Sequence, residues 1–305
     1  KLEEEIHLLG MSDDAEREKQ KIEYARQDAL RKAESIRDEE LKQKLVADSI
    51  QSETYRFPTE EIELPSKGHF YDPDSPLASG ILEIKYPTAK EEDILTSQNL
   101  IKNGTVIDKF MQSIIVTKIN YNDLLIGDKN ALMIAGRILA YGADYEFETT
   151  CPACGTKSTE TINLSEVKDK ELAFEKYTKG TTSFDMTLPA SKRKITYQLM
   201  THGLERQVDD LLKRNKKKAK RSGVDAELTT RMKVCLTSVD GNEDQSYIDN
   251  FVDNEFLSRD SQAFRKEIKT ITPDADMTFH FECDECGHEE VSEFPITAGF
   301  FWPKS

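Results

Sequence analysis

Two short cysteine motifs, far apart in the chain, carry the clearest chemistry in this sequence. One is Cys-Pro-Ala-Cys-Gly at residues 151–155, and the other is Cys-Asp-Glu-Cys-Gly at residues 283–287. In such a knuckle the glycine lets the chain turn so that both sulfurs point to one place. Together, Cys151, Cys154, Cys283 and Cys286 would form a complete tetrahedral shell of thiolates around one Zn²⁺. Because a complete shell leaves no position for water or substrate, we predict a structural zinc site.

Three other interpretations of these cysteines fit less well. Disulfide pairing would leave Cys235 over, and nothing in the sequence resembles a secretory signal. A redox Cys-x-x-Cys is expected beside a βαβ pattern, which we do not find. Unrelated core cysteines would not be expected to repeat one motif. His280 and His288 flank the second knuckle as reserve ligands, but we interpret them as polar residues at a strand end, and Cys235 as a small buried apolar residue.

The separation of the two knuckles is unusual for a zinc ribbon. In a compact ribbon about 15–20 residues lie between the pairs, whereas here residues 155–282 do. Alternating apolar residues on both sides of each knuckle predict the short strands that a ribbon requires. The sequence therefore predicts a ribbon that is split by an inserted domain.

Composition limits the classes of function. The chain has 305 residues, of which 37% are hydrophobic and 32% charged, with a net charge of −15. This acidic balance argues against a general nucleic-acid binder. No apolar run approaches the length of a membrane span. We find no phosphate-binding loop, no His-Glu-x-x-His and no nucleophile elbow, so we predict neither enzymatic activity nor a small-molecule substrate.

The predicted fold class is α+β: a mainly helical core with short β-hairpins, a split zinc ribbon and a long N-terminal helix. We divide the chain into an N-terminal helical arm (1–57), a helical core with a lead-in loop and strand (58–150), the first half of the ribbon (151–164), an inserted α+β domain (165–276), and the second half of the ribbon with an aromatic tail (277–305).

The N-terminal arm contains a charged, uninterrupted helical pattern over residues 13–50. Its apolar stripe is narrow and rich in alanine, too weak to bury much surface alone. A solvated helix held by charge pairs is one interpretation. The other is an arm that docks on a partner or forms a coiled coil. We favour the docking arm, because an isolated helix gains little from staying ordered.

Periodicity also predicts the elements of the core and the insert. In the core these are a strand at 81–86 and helices at 88–98, 105–118 and 124–141; in the insert they are a helix near 166–178, a hairpin of 184–188 with 195–199, and helices near 203–220, 226–237, 246–257 and 259–270.

Arg137 is expected to pair with Asp128 or with the acidic residues at 91–93. The proline-rich stretch at 51–80 reads as linker-like, with an ordered surface loop at 64–76 that engages neighbouring proteins. The aromatic residues at 300–302 are expected to fold back on the core.

A basic run from Lys213 to Arg221 offers the alternative function. With the zinc ribbon it would suit a nucleic-acid-binding factor. We prefer a solvated helix end, favoured by the helix dipole.

Several motifs between Leu64 and Trp302 occur in a recognisable order. They are Leu-Pro-Ser-Lys-Gly at 64–68 with Tyr71, Leu-Ile-Gly-Asp at 125–128 through Arg137 to Tyr-Gly at 141–142, the two cysteine motifs, and Phe-Phe-Trp-Pro at 300–303. In this order the sequence resembles the baseplate hub or hub-assembly proteins of T-even-type contractile-tailed bacteriophages. The resemblance implies a structural or assembly role without catalysis, with other baseplate or tail hub proteins as partners. The expected location is the virion baseplate, assembled in the host cytoplasm. The zinc is argued from the cysteines alone.

Overall fold

The computed structural model describes residues 14–34, 58–222, 226–296 and 298–301. The chain divides into two units, residues 1–57 and residues 58–305. In the first unit one helix is described, α1 (Asp14–Glu34). On it Ile22, Tyr24 and Leu30 are all at least one-third exposed. The rest of the helix predicted over 13–50 lies outside the described residues.

The second unit mixes helices with small antiparallel sheets. Its helices are α2 (Ala89–Thr96), α3 (Gln98–Asn103), α4 (Val106–Ile114), α5 (Ile126–Tyr141), α6 (His202–Ser222), α7 (Glu227–Cys235), α8 (Gln245–Asn250), which continues into a π-turn at Phe251–Glu255, and α9 (Ser258–Ile271). Its strands are β1 (Thr59–Glu63), β2 (Ile81–Lys85), β3 (Asp144–Thr150), β4 (Lys157–Asn163), β5 (Phe184–Thr187), β6 (Lys194–Tyr197), β7 (Leu236–Val239), β8 (Thr278–Glu282) and β9 (Glu289–Glu293). The sheets are β1-β2, β3-β4, β5-β6-β7 and β8-β9.

Local sequence accounts for the helices of the core. At the start of α2, Thr88 and Glu91 form the reciprocal hydrogen bonds of a capping box. Helix α4 buries Val106, Phe110 and Met111 on one face. These elements agree with the predicted amphipathic patterns.

One hydrophobic core joins the segments before and after the first cysteine motif. The start of α5 approaches the insert so closely that a Cβ on Gly127 would lie 1.8 Å from the Pro273 carbonyl oxygen. The Ile126 amide donates to the Met200 carbonyl at 3.1 Å. The insert predicted at residues 165–276 thus packs directly on the helical part. Its division from that part as a domain stays a prediction.

The aromatic tail packs as predicted. Phe300 and Phe301 are fully buried. The Phe300 ring lies 4.9 Å from Tyr145, between centroids, and Phe301 lies 5.0 Å from Phe110. Trp302 lies outside the described residues.

Several expectations about local structure are wrong. Residues 166–178 form no helix but two 3-10 turns, Leu164–Glu166 and Phe174–Lys176. Between the turns the backbone is extended and pairs with the chain before β8, the Lys170 amide donating to the Asp274 carbonyl at 2.9 Å. The helix expected over 226–237 ends at Cys235, because the next residues pair with β6 as β7.

The stretch at 51–80 and Arg137 also differ from prediction. Residues 59–63 form β1, which pairs with β2. The loop that follows is ordered, but it buries Phe70 and Tyr71 in the core, so those aromatic rings do not face neighbouring proteins. Within the described residues Arg137 has no carboxylate partner; it donates to the carbonyl oxygens of Gly142 and Asp144 at 2.8 and 3.2 Å. Both carbonyl groups follow the end of its own helix, and the buried Nε of Arg137 has no hydrogen-bond partner among the described residues.

Candidate metal centre

The first knuckle is the turn between β3 and β4. These strands pair in regular register from Asp144 with Asn163 to Thr150 with Lys157. The Cys151 amide donates to the Thr156 carbonyl at 2.8 Å, and the Gly155 amide donates to the Cys151 carbonyl at 2.9 Å. Gly155 has a φ of +77°, which a residue with a Cβ rarely adopts.

The second knuckle repeats this geometry between β8 and β9. The Cys283 amide donates to the His288 carbonyl at 2.9 Å, and the Gly287 amide donates to the Cys283 carbonyl at 2.8 Å. Gly287 has a φ of +66°. Two segments far apart in sequence thus adopt the same turn, with the sulfurs at equivalent places.

The four predicted ligands meet at one point. Their sulfur atoms all lie within 4.8 Å of one another. Across the two knuckles, the Cys151 and Cys286 sulfurs are 3.7 Å apart and the Cys154 and Cys283 sulfurs are 3.6 Å apart. Cys151 and Cys283 are buried, whereas Cys154 and Cys286 are exposed. Four cysteines this close together could bind a metal ion.

The pKa values of the two exposed thiols, Cys154 and Cys286, are shifted in opposite directions. Hydrogen bonds with the Thr156 side chain and backbone lower the pKa of Cys154 to about 6. At Cys286 a backbone hydrogen bond at His288 lowers the pKa, but the neighbouring sulfurs of Cys154 and Cys283 outweigh it and raise the pKa to about 12. Crowded sulfurs therefore hold back the last proton, and a bound cation would favour its release.

The other candidate ligands lie elsewhere. His280 is on the exposed face of β8, 4.0 Å from the Glu289 carboxylate, and His288 is 3.6 Å from the Glu290 carboxylate. Neither belongs to the cysteine group found among the described residues. Cys235 is buried in the main core, and burial raises the pKa of its thiol to about 11.

Little apolar surface supports the cysteines directly. Cys151, Phe281 and Cys283 form a separate small buried cluster, with Phe279 packed against it. Further from the sulfurs, the Phe279 ring lies 5.1 Å from Phe147 of β3, and the Phe294 ring, directly after β9, lies 6.3 Å from Tyr145 and 6.4 Å from Phe147. The hairpins thus meet at the main core on one side, and only the small cluster lies next to the cysteines.

The outer faces of both hairpins are acidic. On β3 the exposed residues include Asp144 and Glu146, and on β8 and β9 Glu282 lies opposite Glu289. These faces are poorly suited to a phosphate backbone. The basic run starts within α6, and the side chains from residue 216 onward lie outside the described residues.

A second junction was missed by sequence reasoning. Asp128, at the start of α5, is fully buried and accepts hydrogen bonds from the Ser66 amide at 2.9 Å, the Ser66 hydroxyl at 2.6 Å and the Tyr71 hydroxyl. The Tyr71 oxygen in turn accepts from the Leu125 amide at 2.9 Å. Burial is the main cause that raises the pKa of Asp128 to about 6, against the hydrogen bonds that lower it. No local pattern in the sequence connects these residues.

Comparison with known families identifies the class of protein. A family model described as T4 bacteriophage base plate protein matches residues 57–302. The chain belongs to this family. It is therefore a structural protein of a phage base plate, as the resemblance predicted, and a component of the virion tail. The searches of curated proteins and of solved structures returned no significant match.

The family places this base plate protein among other tail proteins, its expected partners. None of the described helices is long and apolar enough to cross a bilayer. The family is structural, which agrees with the absence of a catalytic motif in the sequence.

Proposed function

We propose that this base plate protein is a non-enzymatic component of the hub region of the tail, stapled by one structural zinc ion. Cys151, Cys154, Cys283 and Cys286 would bind the ion, and α1 would dock on a neighbouring tail protein. Family membership supports the base plate role. The gathered cysteines support the metal.

The sulfur separations favour zinc. Zinc–thiolate bonds of about 2.3 Å in a tetrahedron place the sulfurs about 3.8 Å apart. The two cross-knuckle separations of 3.6 and 3.7 Å are close to that edge. An all-thiolate set of four ligands is typical of structural zinc, and it excludes the open position that a catalytic zinc needs.

A zinc ion here would join both ends of the insert. The first knuckle precedes the insert and the second follows it. The ion would fix the two knuckles against each other, where the buried cluster beside the cysteines is small. Its role is thus to orient the protein surfaces that contact neighbours.

The docking arm is supported by the exposure of α1. Ile22, Tyr24 and Leu30 are 37–42% exposed in a helix whose other described side chains are mostly charged or polar. A partner surface that covers these apolar residues would stabilise the helix. The nucleic-acid alternative has less support, since the ribbon faces are acidic.

Metal analysis of purified full-length protein tests the proposal. We expect about one zinc per chain in the wild type, and a loss of most of it in Cys151→Ser, because three thiolates hold zinc more weakly than four. Cys235→Ala is the matched control, since Cys235 is the one cysteine outside the cluster. It should keep the zinc.

Cobalt substitution then tests the ligand set. Co²⁺ bound by four thiolates in a tetrahedron should give strong visible and sulfur-to-metal charge-transfer bands. Wild-type protein with neither zinc nor cobalt bound, or equal metal loss in Cys151→Ser and Cys235→Ala, would contradict the proposed site.

A further inference from the structure

An open groove lies between α7, α9 and the segment 274–278 that leads into β8. Its volume is about 620 Å³. The lining is largely apolar and includes three methionines, Met200, Met232 and Met277. Leu228, at its border, is 45% exposed. Such a surface is costly to leave in water, and flexible methionines suit a binding surface that adapts to its partner.

The two sides of the groove carry opposite charges. From the helices, Arg231, Arg265 and Lys269 line it; from the strand side, Asp276 and Glu293 do. Arg231 pairs with Glu227 on its own helix at 2.9 Å. Within the described part of the chain, Arg265 and Lys269 have no ion-pair partner.

The Asp276 carboxylate accepts hydrogen bonds from the Thr278 amide and hydroxyl at 3.2 and 2.7 Å, but no cationic side chain pairs with it in the described part of the chain. Two further charged groups at the groove have partners within the protein. The Lys170 ammonium donates to the carbonyl oxygens of Lys269 and Thr272, at the end of α9. Asp274 accepts from the Asn130 side chain at 3.0 Å. The charges that remain for a partner are therefore basic on the α9 side and acidic on the strand side.

We propose that this groove binds an amphipathic helix of another base plate protein. The apolar stripe of that helix would cover Leu228 and the methionines. One edge of the stripe would be acidic and would face Arg265 and Lys269, and the other would be basic and would face Asp276 and Glu293. A helix fits because its side chains form an apolar stripe with polar residues along both edges.

The charge arrangement favours a peptide over a lipid. A fatty acid has a single anionic carboxylate. That group would pair with the basic side of the groove and leave the acidic side without a partner. A helix can present both signs along its two edges, and this fixes its orientation in the groove. The basic and acidic sides thus specify the direction in which the helix lies.

Photo-crosslinking in assembled base plates identifies the occupant. The full chain carries benzoylphenylalanine in place of Leu228, or in place of Leu257 as a control. Leu257 is 50% exposed and does not line the groove. We expect a crosslink from position 228 to a helical segment of another base plate protein, with an apolar stripe between acidic and basic edges.

Three outcomes would overturn the proposal. One is a crosslink from position 228 to another part of this chain or to a second copy of it. Another is a crosslink to a lipid. The third is a yield no higher than that at position 257.

Binding of a synthetic peptide with the crosslinked sequence tests the charge arrangement. The double variant Arg265→Glu/Lys269→Glu should bind the peptide about tenfold more weakly at low salt, and the difference should shrink as salt is raised. Lys266→Glu is the matched control, because Lys266 is exposed on α9 and does not line the groove. Equal weakening in both variants, or none in the double variant, would reject the charge-matched helix.

Discussion

The second unit joins distant segments in two different ways. At the cysteine cluster, residues 151–154 meet residues 283–286 near the surface, with only a small buried group beside them. At the Asp128 junction, the loop carrying Ser66 and Tyr71 meets α5 in the interior, where the main hydrophobic core surrounds it.

The difference lies in what each junction depends on. Two-stranded hairpins are marginal in water alone, so the proposed zinc ion would hold the two cysteine hairpins together. The Asp128 junction needs only protein groups, but it requires every one of them, because a buried polar group without a partner is destabilising. Loss of the metal should therefore act locally, and loss of Asp128 should act on the whole unit.

Removal of zinc gives the largest expected effect. Structural zinc contributes on the order of 10 kcal/mol in small zinc peptides. With a strong chelator, the amides of β3, β4, β8 and β9 should exchange hydrogen much faster, while those of α5 stay protected. Hydrogen exchange with mass spectrometry measures both regions in one sample. Equal loss of protection in α5 would show that the metal holds the whole unit together. It would contradict the expectation that the metal acts only locally.

The substitution Asp128→Ala should have the next largest effect. It leaves the Ser66 amide, the Ser66 hydroxyl and the Tyr71 hydroxyl buried without their acceptor. We expect a loss of about 3 kcal/mol in the free energy of unfolding, since each buried unpaired group costs about 1–3 kcal/mol and some can form new hydrogen bonds. Urea denaturation measures it.

The control for this variant is Asp93→Ala, an exposed carboxylate on α2. It should change the free energy of unfolding by less than about 0.5 kcal/mol. Zinc content should stay the same in both variants. A loss of zinc in Asp128→Ala would mean that the two junctions are coupled.

The third effect, no larger than that of Asp128→Ala, is a pH dependence that differs between two buried carboxylates. Burial raises the pKa of Asp128 to about 6. At Glu91 burial acts in the same direction, but hydrogen bonds from Lys85 and Thr88 outweigh it and lower the pKa to about 2. The two groups therefore contribute to stability with opposite dependence on pH.

The folded protein binds a proton at Asp128 more tightly than the unfolded chain. The contribution of this carboxyl group to stability is therefore complete below about pH 4, and it is lost as the pH rises through about 6, a change of up to about 3 kcal/mol. For Glu91 the contribution is complete above its unfolded pKa and is lost as the pH falls toward 2. Urea denaturation at pH 7, 5.5 and 4 should show that Asp128→Asn removes the first dependence and Glu91→Gln does not. The same slope in Asp128→Asn and in the wild type would assign it to another group.

Local patterns predicted much of this molecule. The repeated knuckle motif identified the four cysteines, and amphipathic periodicity identified α4 and α5. Alternation identified the β5-β6 hairpin, but not β7, because Leu236–Val239 follows a helix directly and becomes a strand only by pairing with β6.

The predictions that failed depended on contacts that local periodicity does not encode. Arg137 donates to backbone carbonyl oxygens just after its own helix, and Asp128 accepts hydrogen bonds from a loop about 60 residues earlier in the sequence. The backbone near Lys170 pairs with residues 274–276 in place of forming a helix. A single sequence carries no pattern for such pairings, since they are fixed only when the chain is folded.

The position of the knuckles has a mechanical consequence for a contractile tail. With the proposed zinc ion bound, a pulling force applied between β1 and the aromatic tail would pass through the zinc–thiolate bonds and through the packing of Phe300 on Tyr145 and of Phe301 on Phe110. The insert between the knuckles would then carry little tension, because the metal offers a shorter route for the force. The insert would thus keep its shape and its contacts while the tail shortens, and removal of the ion would leave the aromatic packing alone to bear the force.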